Sequence, residues 1–81
     1  MTFITRKSPT SKSTNGGKII LTIRKLRGYN REELSSLTGF AVNTIYNWET
    51  GRARPAFDDV ETIVKSLHFE FEEARRLADV A

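Results

Sequence analysis

Residues 30–55 read NREELSSLTGFAVNTIYNWETGRARP, and this stretch decides the fold. Asn30 has a side-chain oxygen that can accept a backbone N–H from the first turn of a following helix. Glu33 stands three residues on, where its carboxylate can bond back to the Asn30 N–H. That is a capping-box arrangement with Asn in place of Ser or Thr. Leu34 and Leu37 supply an apolar face, Gly39 ends the helix, and Phe40 can tuck into the core. Val42, Ile45 and Trp48 or Glu49 then recur at helical spacing, so a second helix runs over Val42–Thr50 and stops at Gly51.

The two helices meet at a tight corner. Gly39 takes that turn without a Cβ penalty. Small Ser35 lets the second helix approach closely, and Ile45 locks it beneath the first. Short helices crossing near-perpendicularly at such a corner have helix-turn-helix geometry, which places the second helix in a DNA major groove.

Working outward, Ile19, Ile20, Ile23 and Leu26 mark one face of a helix over Lys18–Arg27. Gly28 suits the left-handed position that closes it. On the other side, Arg52-Ala53-Arg54-Pro55 is a basic connector. Phe57, Val60, Ile63, Val64 and Leu67 predict a fourth helix, with Asp58 and Asp59 in the first turn where the helix dipole favours them. A short fifth helix spans Phe71–Asp79, with Phe71, Ala74, Leu77 and Ala78 inward. No segment alternates apolar and polar residues as a half-buried strand does, so the expected class is all-α. Residues 1–17 are rich in Ser, Thr, Lys and Gly and cannot bury enough apolar area to offset their ordering entropy. They are expected to form a disordered basic arm before a single domain at residues 18–81.

Composition narrows the chemistry. The 81 residues include no cysteine and one histidine, His68. Disulfides, thiolate metal sites and a Ser-His-Asp triad are therefore not expected, and neither is a cofactor. No apolar run is long enough to span a bilayer or to serve as a secretory signal, so the expectation is a cytoplasmic protein. The net charge of +3 is unevenly spread: residues 1–18 carry +4, residues 19–55 carry +3 and residues 56–81 carry −4. A basic front and an acidic back fit a surface that faces a polyanion and a rear that faces solvent or a protein partner.

Over residues 19–71 the chain resembles the Cro and lambda-repressor type of helix-turn-helix domain, the XRE family. The matching residues are Arg24, Gly28, Glu32-Glu33-Leu34, Gly39, Thr44-Ile45, then Glu49-x-Gly51-x-x-x-Pro55, and Leu67 before the acidic turn Phe69-Glu70-Phe71-Glu72-Glu73. Arg31 stands where the family usually has Gln, Ser35 where it has Ala, and Ala41 where Ser or Thr often caps the third helix. The resemblance implies a compact five-helix, lambda-repressor-like domain, recognition of DNA through helix 3, and binding as a homodimer to a two-fold operator. It also implies an ion pair between Arg24 and Glu49, which makes Glu49 structural.

By that match, Val42, Asn43, Thr44, Tyr46 and Asn47 lie against base edges. The chemistry suits them: Asn pairs bidentately with adenine, and Thr or Val contacts the thymine methyl. Asn30, Arg31, Arg52 and Arg54 are the expected phosphate contacts, since the first two sit at a helix N-terminus and the others just follow the reading helix. Trp48 and Phe40 are expected core anchors. The expected function is sequence-specific regulation of transcription, as a repressor. The alternative is a protein-interaction module of the same fold, an antitoxin or bridging factor with a partner on the acidic C-terminal helices. The crowding of Phe69, Phe71 and Val80 there also makes helices 4 and 5 the expected dimer surface.

Overall fold

The computed structural model describes residues 9–81; for residues 9–15 only the helical backbone is described. Five helices follow in order: α1 (Pro9–Leu26), α2 (Arg31–Thr38), α3 (Val42–Glu49), α4 (Phe57–Ser66) and α5 (Phe71–Val80). No strand occurs among the described residues. The long α1 runs through the middle and packs against α3, α4 and α5, while α2 rests on α3 and α4. Ile20, Ile23, Leu34, Ile45, Ile63 and Leu67 are sealed completely at its centre, ringed by Ile19, Trp48, Val60, Val64, Ala74 and Ala78. Among the described residues, no helix is long and apolar enough to cross a membrane.

The helix ends follow the local chemistry. Asn30 Oδ1 accepts the Glu33 N–H at 2.7 Å and Glu33 Oε1 accepts the Asn30 N–H at 2.8 Å, so the capping box is complete. Gly39 is left-handed at φ 88° and its N–H closes α2 on the Ser35 carbonyl. At the end of α1, Gly28 adopts φ 78° and the N–H groups of Gly28 and Tyr29 return to the carbonyls of Lys25 and Arg24. The same pattern closes α4 without a glycine: His68 adopts φ 65°, and His68 and Phe69 return to Lys65 and Val64. Arg27 covers that end. Its Nε donates to the Leu67 carbonyl at 2.7 Å, its Nη2 to the His68 carbonyl at 3.0 Å, and its guanidinium lies 4.1 Å from the centre of the Phe69 ring.

Four expectations need correction. Helix α1 starts at Pro9, not Lys18. Gly16 and Gly17 belong to the packed domain because they are small: a Cβ on Gly17 would fall on the Trp48 carbonyl oxygen, and one on Gly16 would lie 2.8 Å from Cγ of Pro55. Of the expected arm, residues 1–8 lie outside the described residues. Leu26 and Leu37 match the helical period but are exposed, at 58% and 46%, because they lie off the sides of α1 and α2 that the other helices cover. Phe57, expected to face inward, is 59% exposed, with its ring beside that of the half-buried Phe71, centres 5.0 Å apart. Finally, α3 ends at Glu49, with Thr50 as its cap.

Candidate nucleic-acid interface

Helix α3 has two unlike sides. Ile45 and Trp48 turn inward, and Phe40 meets the Trp48 indole edge-on with centroids 5.1 Å apart. Residues three and four positions apart share a side of a helix. Val42, Asn43 and Tyr46 are exposed on the opposite side, with Thr44 and Asn47 half-buried at its edges. This outward stripe carries hydrogen-bonding and methyl groups and no acid until Glu49, whose carboxylate is turned inward.

Glu49 shows how the end of α3 is held. Its side chain is 1% exposed. Arg24 grips it with two of its three nitrogens, Nε to Oε2 at 2.7 Å and Nη2 to Oε1 at 2.9 Å. The third, Nη1, donates to the Tyr29 carbonyl at 2.8 Å. A bidentate pair of this kind is directional as well as attractive, so it fixes α3 against α1 in angle and not just in distance. The carboxylate is thereby neutralised and hidden, which removes the one charge on α3 that would repel a phosphate backbone.

Glu49 has a second cation that the sequence alone did not reveal. Arg31 Nε donates to Oε1 at 2.8 Å. Eighteen residues separate the two, and no periodicity links them. Arg31 therefore sits in a charge network at the α2–α3 corner, and its guanidinium lies 5.0 Å from the centre of the Tyr46 ring. Asn30, Arg31 and Val42 share a shallow depression with Arg24 and Glu32. The expected phosphate pair at the start of α2 and the first residue of α3 are thus brought together.

The connector after α3 is folded back onto it. Gly51 turns at φ 82°, and the N–H groups of Arg52 and Ala53 both reach the Asn47 carbonyl, at 2.9 and 3.1 Å. Arg52 and Arg54 are exposed, while Pro55 is buried against the Gly16 turn of α1. The physical sense of Glu-x-Gly-x-x-x-Pro follows. The glutamate anchors the helix, the glycine turns the chain, the proline pins it, and the two arginines between are presented to solvent beside the outward face.

A family model described as helix-turn-helix matches residues 20–73, two-thirds of the chain. The chain belongs to the helix-turn-helix family. Its XRE-type members are DNA-binding, and the matched span takes in α2, α3 and the connector whose geometry is given above. No curated protein and no solved structure gives a significant match.

Proposed function

We propose that this helix-turn-helix protein is a sequence-specific transcriptional repressor that works in the cytoplasm by laying α3 in the major groove of its operator. The observation that carries this reading is the pairing of an acid-free outward stripe on α3 with two exposed arginines folded back beside it. Asn43, Asn47 and Thr44 read base edges, Val42 contacts a thymine methyl, and Tyr46 packs on a base or sugar. Asn30, Arg31, Arg52 and Arg54 hold the backbone and set the register. The basic arm, for which residues 1–8 supply Arg6 and Lys7, adds unspecific attraction. Repression fits because occupying an operator requires nothing beyond these contacts.

A homodimer on a two-fold site is part of the proposal, since one half-site offers few contacts. The surface that favours it is on α4 and α5, where Phe57 and Val80 are exposed among acidic residues. The same surface is where a protein partner would sit in the antitoxin or bridging reading. Selection from random duplexes followed by footprinting tests the main claim. The expected result is a two-fold consensus protected at half-sites about one helical turn apart. Recovery of no consensus would sink the sequence-reading function.

A further inference from the structure

Arg31 makes two contacts that phosphate binding does not use. Its Nε is committed to buried Glu49, at the same Oε1 that Arg24 Nη2 already holds. Its guanidinium also lies against the face of Tyr46, a 39% exposed ring on the outward side of α3. An exposed tyrosine on a helix otherwise has more than one staggered rotamer open to it. We infer that Arg31 is a positioning residue for Tyr46: Glu49 fixes the guanidinium, and the guanidinium holds the ring in one orientation on the reading face.

The inference rests on the DNA-reading function proposed above and deepens it. A ring already fixed in the free protein does not have to be ordered on DNA, so it favours only those sequences that fit its one orientation. Arg31 thereby raises discrimination without touching a base. The chemistry is specific to arginine. Lysine keeps the charge but has a compact ammonium with no plane to lay on a ring and no Nε–H to give the carboxylate. Charge and positioning can therefore be separated with one substitution.

The test uses the full chain, a duplex selected by the wild type from a random library, and a scrambled duplex of the same length. Arg31→Lys is expected to leave the slope of log K against log[salt] unchanged, because the charge remains and the slope falls only when a phosphate contact is lost. Its preference for the selected duplex is expected to fall about three- to tenfold, the effect of one side chain that must now be ordered on binding. Tyr46→Leu is expected to lower the preference similarly, and the double variant to fall no further than Tyr46→Leu alone. In the free protein, the Arg31 side-chain protons are expected to show a ring-current shift that Tyr46→Leu abolishes, a readout that does not depend on how well Arg31→Lys folds. Unchanged preference in Arg31→Lys, an equal loss on both duplexes, independent effects in the double variant, or no ring-current shift would each overturn the inference and leave the DNA-reading function standing. A wild type that binds selected and scrambled duplexes alike would overturn that function, and the inference with it.

Discussion

The two ends of α3 are built on opposite plans. At its C-terminal end Glu49 is buried between Arg24 and Arg31, Trp48 packs on Phe40, and the Trp48 carbonyl lies so close to Gly17 that no side chain fits between. At its N-terminal end Ala41 makes no side-chain cap, and the first helical residues Val42 and Asn43 face outward. Helix α2 carries a full capping box, whereas α3, like α4 and α5, begins without a side-chain cap. The strong interactions therefore sit where the helix is held, and the weak ones where it is presented. A surface arranged in this way can change its exposed residues without disturbing the attachment.

The largest break in that contrast is expected from Glu49→Ala. It strands Arg24, whose side chain is only 8% exposed, without its carboxylate. Stranding one member of a buried pair costs roughly 3–5 kcal/mol, and the Arg24→Ala, Glu49→Ala double variant should lose less than the sum of the two. A denaturation cycle with no coupling would contradict the anchoring role. Gly17→Ala should come next. In an ordinary helix that change gains up to about 1 kcal/mol, but here the new methyl meets backbone that cannot swing aside. Overpacking of this kind costs about 1–3 kcal/mol, so the sign reverses. Gly16→Ala meets mainly the Pro55 ring edge and should cost less; the order of the two melting temperatures checks this.

At the other end the expected changes are smaller and of opposite sense. Ala41→Ser supplies the missing cap and should stabilise the protein by about 1 kcal/mol. A thermal melt without gain would mean that the first turn of α3 is already satisfied. Smallest of all for the fold are Arg52→Ala and Arg54→Ala, whose side chains are exposed. Each should leave stability unchanged, weaken all duplexes alike, and flatten the salt slope by ~0.9. An unchanged slope in both would remove the connector from the interface.

These contrasts also mark how far the residues alone could be read. The Asn30–Glu33 box, the glycine ends at Gly28 and Gly39, and the inward Ile45 and Trp48 were legible because each depends on neighbours within about one turn. The apolar period of Leu26, Leu37 and Phe57 was just as clear and yet misleading. Periodicity shows which side of a helix could be buried, and only a covering element makes it so. The Arg24–Glu49 pair became an expectation through family resemblance, since nothing local connects residues twenty-five apart.

The sequence by itself determined that this protein is five helices with a tight glycine corner, a polar outward stripe on the third and a basic turn behind it. Helix propensity, capping and charge are written within a few residues of one another, so they survive being read in isolation. Only the tertiary structure decided that α1 reaches back to Pro9, that the Gly16–Gly17 notch receives Pro55 and the Trp48 carbonyl, and that Arg31 ties Glu49 to Tyr46. Those contacts join parts of the chain whose distance in sequence carries no period. They exist because packing the apolar faces of α1 and α3 brings particular side chains within reach, and that geometry belongs to the assembled helices rather than to any one of them.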